Sequence, residues 1–597
     1  MSGQNVRENK LVAAILLVPA SGWLVIFFTL PLAIVWVYSF GERGPQGQTI
    51  LALSLENYQR AVEWVHLGIF LKSFWMAAVA TVICFAMGFP LAMGIAFAPA
   101  RYKNILMLLV ILPFWTNLLI RTYAWIAVLR TRGFLNFSLE WVHGKLDAVF
   151  TLIGLPDLMG IFKPLALLYN NSAVIIGLVY VALPFLVLPI YATLEKLDRS
   201  YLEASLDLGA GQWRTLFSIT MPLAFPGIFS GLLLVFILSL GTYLTPILLG
   251  GTRSMMIGNL IAQEFGSARD WPFGSAISFL LLYVTFIVLW LRAMVASRSK
   301  GVGIDMAEQL SSQISNQPSV KGRRRKKRHT PLEYTKKRWF QLLMLANFIF
   351  LYFPIIALMA FSFNNSRRNI TWQGFTFKYY IKAYYNESLF EAFINSLIVA
   401  SISTVVSTLL GAMLGLALYR FRFPAKSAFD GWIHLPIIVP EICMGVAMMA
   451  FFARLNIALG LFTITVSHIA FTIPFVAVVV RSRMAGYDYA LEESSRDLGA
   501  NQLQTFMYVT LPYMMPGIVA GALLALTLSL DDFVITFFTS GPGSTTLPIK
   551  IFSMVRFSVT PEVNAASTVL IVMTLILAVT TMIIMSRKDQ KNGGIAI

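Results

Sequence analysis

Few residues of this 597-residue chain could do chemistry, and the most informative are acids in apolar surroundings. Glu441 follows Pro440 within an apolar run from 430 to 455, and Asp531 and Asp532 lie toward one end of another, from 513 to 538. An ionised carboxylate in a membrane-length apolar stretch is costly unless it is paired or wet, so such a residue reads first as functional. On a straight helix Glu441 would stand about 11 residues, or roughly 16 Å, from the start of its run, near a bilayer midplane. The structural alternative is a partnership with Arg121 on the equivalent run of the first half. Adjacent helical residues point about 100° apart, so one of Asp531 and Asp532 is expected to face a central path and the other to bind backbone or a neighbouring helix. Spacing does not choose between them. The positions equivalent to these two acids are Gly241 and Thr242, followed by Tyr243, which with Trp115 and Tyr123 offers an aromatic face opposite the charge. Each of these rings has an ordinary use in packing or interfacial anchoring as well.

Other chemistries lack their residues. There is no GxxxxGK[ST], so the chain is not expected to bind ATP through a phosphate loop. No nucleophile, base and orienting group fall together, and the chain reads as a transport component and not an enzyme. His434 and His468 have no second ligand at metal-binding spacing. Cys84 and Cys443, one in each half, sit in apolar segments and support neither a disulfide framework nor a cysteine metal site.

The elements that must hold these residues are membrane helices. Hydrophobic residues make up 57% of the chain and charged residues 12%, which indicates an all-α polytopic membrane protein. Spans are expected near 11–38, 69–98, 104–129, 173–194, 222–249 and 274–296, and again near 340–361, 392–419, 430–455, 463–484, 513–538 and 563–586. The count is six and six. Leu11 to Tyr38 is too long for a signal-peptide core and lacks a small-residue cleavage site, so it is expected to be the first span. With six spans per half, Arg7 and Lys10, Arg101 and Lys103, Arg420 and Arg422, Arg481 and Arg483, and the basic C-terminal end all fall on one side. The excess of Lys and Arg makes that side cytoplasmic, with both termini on it. The net charge of +18 is concentrated between Arg298 and Arg338, where twelve Lys and Arg face Asp305, Glu308 and Glu333. A flexible cytoplasmic linker at 299–335, in contact with anionic lipid headgroups, accounts for this run better than nucleic-acid binding.

The chain repeats itself. Leu202 to Leu244 and Glu492 to Val534 agree at 19 of 43 positions at a constant offset, and the matches include Gly, Pro, Asp and Gln. Pro31 with Ser39-Phe40 matches Pro354 with Ser362-Phe363, and Leu112-Pro113 matches Leu435-Pro436, so the similarity reaches back through each half. The first half carries extra residues around Thr131 to Asn170, an insertion expected outside the membrane on the face where a partner or substrate arrives. Each copy of the repeated loop is a polar segment between apolar ones. Gly209 or Gly499 is placed to take a positive φ between two short helices, and Pro222 or Pro512 is expected to open the next apolar helix.

The spacing of acid, Gly and downstream apolar helix resembles the cytoplasmic EAA loop of ABC importer permeases. That resemblance implies a coupling helix seated in a groove of an ATPase subunit, with Glu203, Asp207, Gly209, Ala210, Glu493, Asp497, Gly499 and Ala500 as the coupling residues. Longer stretches are similar to a narrower group. LPFWTNLLIRTYAW at Leu112 to Trp125, LEKLD at Leu194 to Asp198 and RDWPFG at Arg269 to Gly274 resemble the B-type permease of spermidine/putrescine importers. SHIAFTIPFV at Ser467 to Val476, SLDDFV at Ser529 to Val534 and LPIKIFSMV at Leu547 to Val555 resemble the C-type permease.

The resemblance implies two homologous six-helix ABC type I importer halves, separate in that family and fused here: residues 1–298, a basic cytoplasmic linker at 299–338, and residues 339–597. It implies a bacterial inner-membrane, multi-pass permease for polyamines that works by alternating access. Its partners would be an ATPase subunit dimer and an extracytoplasmic polyamine-binding protein, with ATP and Mg on the ATPase and no cofactor in this chain. A flexible polycation with methylene stretches calls for spaced carboxylates and aromatic faces, which makes Glu441, Asp531, Asp532, Tyr243, Trp115 and Tyr123 the expected path. The family's C-type subunit has an acid at the position of Glu441. The alternatives are another cargo for a fused permease, such as ferric iron or thiamine, and an ion-coupled secondary transporter. Matched cytoplasmic loops in halves of the same orientation weigh against the latter.

Overall fold

The computed structural model describes residues 10–45, 47–153, 160–291, 337–366, 372–421, 423, 425–557 and 561–591. The linker at 299–338, and with it the expectation of flexibility at 299–335, falls almost wholly outside the described residues. In a hydrocarbon layer each backbone N–H and C=O must be bonded within its own segment, so long apolar runs fold as helices. The first half contains α1 (Val12–Tyr38), α2 (Glu56–Val62), α3 (Trp64–Ala96), α4 (Ala100–Ile111), α5 (Leu118–Leu129), α6 (Phe134–Leu152), α7 (Asn171–Glu195), α8 (Arg199–Asp207), α9 (Gln212–Leu240), α10 (Ile257–Phe265) and α11 (Trp271–Leu291). The second contains α12 (Arg338–Ser362), α13 (Lys378–Tyr384), α14 (Glu387–Arg420), α15 (Lys426–Ile438), α16 (Glu441–Arg454), α17 (Leu461–Met484), α18 (Ala490–Asp497), α19 (Gln502–Asp531), α20 (Val534–Thr539), α21 (Leu547–Phe557) and α22 (Pro561–Lys591). The helices fall into pairs between the halves, except that α6 has no counterpart and belongs to the insertion, and α20 corresponds to a π-helical turn at Pro246–Gly250.

Among the described residues nine helices are long and apolar enough to cross a membrane, or eleven if each of two bent pairs is one span. The first part of α22, Pro561–Ile576, is a further apolar helix at the place of the last expected span. The bent pairs correct the expectation of straight third spans at 104–129 and 430–455. The segment containing α4 and the one beginning with α5 meet at 88°, and α15 and α16 at 96°. Pro440 disfavours helix at Val439, which is extended with φ −62° and ψ 129°. In the first half a 3-10 turn at Leu112–Trp115 and an extended Thr116 make the same break.

A second correction concerns Pro222 and Pro512, which do not open their helices. α9 and α19 begin ten residues earlier, at Gln212 and Gln502. A π-helical turn, Leu216–Thr220 or Phe506–Thr510, lies just before each proline. Proline removes one N–H bond and presses on the carbonyl four residues back, here Ser218 or Tyr508, and the wider turn makes room for that carbonyl.

Matched pins hold the ends. Ser39 and Ser362, at equivalent positions, hydrogen bond to the hydroxyls of Tyr58 at 2.7 Å and Tyr380 at 2.6 Å. Arg60 on α2 pairs with Asp270 at 2.7 Å and lies 3.9 Å from the Phe273 ring centroid, while Lys382 on α13 pairs with Glu562. The two halves share one apolar core. Tyr180 donates to the Leu351 carbonyl at 3.0 Å and Tyr352 to the Leu109 carbonyl at 2.8 Å.

Candidate functional site

The breaks in the third spans bring four elements to one place. α5 begins at Leu118 and α16 at Glu441, equivalent positions in the two halves. The first N–H groups of a helix have no partner within it, and its N-terminus favours negative charge. Asn117 caps α5 by accepting from the N–H groups of Leu119 at 3.0 Å and Ile120 at 3.2 Å. The remaining donor, Leu118 N–H, goes to Asp531 Oδ1 of the other half at 2.5 Å, and Asn117 Nδ2 donates to the Asp531 carbonyl at 3.1 Å. Arg121, one turn into α5 and 3% exposed, is the charged group that acts most strongly on Asp531. The arginine expected as a partner for Glu441 thus acts on Asp531, at a longer range than an ion pair. On the other side of the pseudo-twofold, Gly241 takes the place of Asp531 and Pro440 that of Asn117. A Cβ on Gly241 would stand 2.7 Å from Pro440 Cβ, so the halves come into close contact where the side chain is missing.

Asp532 has a different employment. Its Oδ2 accepts from Thr536 N–H at 2.7 Å and Thr536 Oγ1 at 2.7 Å, which caps α20, and it pairs with His468 Nε2 at 3.1 Å. His468 Nδ1 lies 2.7 Å from Ser529 Oγ, itself 2.9 Å from Ser403 Oγ. This line of buried polar groups belongs to the second half alone. At the equivalent of Ser529, Ser239 is buried with no hydrogen-bond partner for its hydroxyl among the described residues. Of the two adjacent acids, Asp532 therefore binds backbone and a neighbouring helix, and Asp531 is the one turned toward the meeting point of the halves. Sequence reading set His468 aside as a metal ligand and missed its service to Asp532, a bond between residues far apart in the chain.

Glu441 is the first residue of α16, and the bend removes the straight-helix basis for its expected depth. Its side chain is exposed at the break between α15 and α16. Among the described residues it has no side-chain hydrogen bond or ion pair, and the charges that act on it are those of Asp532 and Asp531. The aromatic candidates divide. Tyr243 is buried and stacks on Phe533, its own equivalent in the other half, at 6.4 Å between centroids and 5° between planes. Phe537 lies 6.1 Å away, so rings from both halves close together beside the acids. Tyr123 is 1% exposed and donates to Asn564 Oδ1 at 3.1 Å, so it ties the halves together and faces no opening here. The side chain of Trp115 lies outside the described residues.

The repeated loops form a second matched feature. Gly209 and Gly499 have φ of +85° and +87°, as the turn between helices requires. Leu208 and Leu498 beside them are 88% and 89% exposed. Trp213 and Leu503, and Phe217 and Met507, are equivalent pairs that are exposed as well, so each loop presents the same apolar surface. Asp207, Glu493, Asp497, Gly209 and Gly499 are exposed on it, with Glu203, Ala210 and Ala500 half-buried.

Glu492, preceding the expected Glu493, is the residue sequence reading missed. Where the first half has buried Leu202, Glu492 accepts from Arg420 Nη2 at 2.8 Å and Nη1 at 3.2 Å, and from Thr510 Oγ1 at 2.9 Å and Tyr487 Oη at 3.3 Å. Burial pushes the Tyr487 hydroxyl above its ordinary value, so it stays a neutral donor. The position equivalent to Arg420 is Phe97, which packs with the same apolar core as Leu202. One half places two apolar side chains of the core at these positions and the other an ion pair. The signal lay in the repeat: two mismatches that compensate each other.

Comparison with known proteins places this geometry. A family model described as binding-protein-dependent transport system inner membrane component matches residues 86–301 and 407–592, more than half of the chain. The spermidine/putrescine transport system permease protein PotC of Shigella flexneri is 41% identical over 251 residues, which are 42% of this chain and 95% of that protein. The corresponding permease protein PotB of Salmonella typhimurium (strain SL1344) is 38% identical over 275 residues, 46% of this chain and 90% of that protein. Each match is close to half of the chain, as a fusion of B-type and C-type permeases requires. A solved chain from a bacterial ABC transporter involved in the import of the acidic polysaccharide alginate covers 42% of this chain and 98% of its own, at 16% identity and a TM-score of 0.31.

Proposed function

This chain belongs to the binding-protein-dependent transport system inner membrane components, as two permease halves in one multi-pass ABC importer permease, and on that premise we propose that it carries polyamines of the spermidine/putrescine class. One observation carries the cargo reading. Glu441 is exposed at the break that opens α16 and has no side-chain partner among the described residues, and the charges that act on it are those of Asp531 and Asp532. Asp531 accepts from Leu118 N–H within reach of the Arg121 charge, and Asp532 bonds to His468 and Thr536, which leaves Glu441 as the carboxylate without a partner among the described residues. An ammonium group meets that need, and the apolar stem of a polyamine suits the rings of Tyr243, Phe533 and Phe537. The likeness to permeases named for spermidine and putrescine supports the same cargo.

In this reading the two repeated loops face the cytoplasm and seat in a separate pair of ATPase subunits, which hold ATP and Mg. Leu208 and Leu498 enter the partner grooves, with Glu203, Asp207, Ala210, Glu493, Asp497 and Ala500 around them. Closure of the ATPases moves the loops, and the π turns before Pro222 and Pro512 pass that movement to α9 and α19. Those helices end beside the Tyr243–Phe533 stack and Asp531, so their displacement parts the rings and opens the path to a loaded extracytoplasmic binding protein. Both termini and the basic linker lie on the cytoplasmic side, and the halves are bounded at 1–298 and 339–597.

The test is uptake of radiolabelled spermidine and putrescine in cells expressing the chain with its ATPase and binding protein, comparing wild type with Glu441→Gln. Uptake that falls in the variant while the complex still assembles supports the reading. Absence of wild-type uptake by an assembled complex overturns the cargo and leaves the permease.

A further inference from the structure

The insertion of the first half is built as an amphipathic helix with one face unaccounted for. α6 is fixed on one side. Asn136, buried, donates to the Leu165 carbonyl at 2.9 Å and accepts from Leu165 N–H at 2.9 Å, and His143 lies 5.6 Å from the Phe162 ring centroid. At helical spacing Leu135, Val142, Leu146 and Val149 share another face, and all four are exposed. Glu140, Gly144 and Thr151, also exposed, lie on the side opposite to them.

Two observations say what covers the apolar face. Its first turn continues a surface that already faces lipid: Phe134 packs against Phe353 at 6.3 Å and Phe361 at 4.5 Å on α12. Phe353 belongs to the exposed apolar stripe of that span with Leu342, Leu345, Ile349 and Ile356. α6 therefore starts at the depth of the last turns of a membrane helix and not above it. Its exposed Trp141 carries Lys145 over the ring at 5.7 Å, a ring and a cation suited to headgroup level.

We propose that α6 lies in the plane of the outer membrane–water interface, with Leu135, Val142, Leu146 and Val149 in the acyl region of the phospholipid leaflet. The insertion then braces the outer ends of α5 and α12 against the bilayer, and is not the receptor's landing place that its position in the sequence suggests. This rests on the orientation given above, though not on the cargo.

Nitroxide scanning of the full chain in nanodiscs of phosphatidylethanolamine and phosphatidylglycerol tests it, with labels at Leu135→Cys, Val142→Cys and Val149→Cys against Glu140→Cys, Gly144→Cys and Thr151→Cys. The native Cys84 and Cys443 are buried and serve as the unlabelled background. The first three labels are expected to collide often with oxygen and rarely with a water-soluble nickel chelate, and the last three the reverse. Equal access of the chelate to both sets overturns the proposal. Chelate access that vanishes when the binding protein is added identifies the face as a receptor-docking surface instead. Labels shielded from both agents show that protein covers the face, which also overturns it.

Discussion

Glu492 is expected to be the residue whose loss loosens one repeated loop and leaves the other untouched. Its carboxylate accepts both Nη groups of Arg420, and the side chains are 7% and 22% exposed. Removing one partner of a buried ion pair costs about 3–5 kcal/mol. Because Arg420 reaches water, screening recovers part of that, and about 2 kcal/mol is the working figure for Glu492→Leu. The cost falls locally on α18 and the turn after it, where roughly 25-fold more frequent opening corresponds to that figure. Hydrogen exchange of amides 490–505 in the full chain reads it directly, with 200–215 as an internal control. The decisive variant pairs Glu492→Leu with Arg420→Phe, which copies the Leu202 and Phe97 of the first half. If the two fastenings are alternative solutions of one packing problem, the double variant regains protection, with a coupling energy of about 1–2 kcal/mol. Additive losses in the double variant, or unchanged exchange in Glu492→Leu, would refute the reasoning. Should the loops dock the ATPase as proposed, the single variant also hydrolyses ATP with less transport per turnover.

The acids separate by role. Asp532→Ala strips buried His468 of a hydrogen-bond partner and α20 of its cap and is expected to cost about 2–3 kcal/mol, whereas Glu441→Gln leaves thermal stability unchanged while abolishing uptake; equal melting shifts in both would undo the distinction. Gly209→Ala and Gly499→Ala meet no atom within 4 Å, so their cost is backbone strain alone, about 1–2 kcal/mol, measurable as faster exchange in the altered loop only. Glu264, outside the membrane spans, has its carboxyl raised first by burial and then by Asp270, with Arg60 and Arg43 opposing. A raised acid favours the folded state at pH below its unfolded value, about 4.3, and that advantage is lost as pH rises through the folded value. Glu264→Gln is therefore expected to melt above wild type at neutral pH and to lose its advantage in acid; a variant that melts lower at neutral pH counts against this account.

The sequence alone determined the architecture because its signals are local or repeated. Hydropathy runs specified the spans, and the constant offset of the repeat specified two related halves and the matched loops. Gly209 and Gly499 were legible because only a positive φ joins their short helices. What sequence could not supply was any relation resting on how the halves dock. Proline and short-range geometry broke the third spans, yet only the assembled core brought Leu118 to Asp531, 413 residues away. The same docking placed Arg121 where its charge acts on Asp531 and not on Glu441 and stacked Tyr243 on its own counterpart Phe533, while packing within the second half bound Asp532 to His468. Hydrophobic periodicity is a property of neighbours along the chain. The choice of partner for a buried charge depends on which surfaces meet across the pseudo-twofold, and that is settled by tertiary packing.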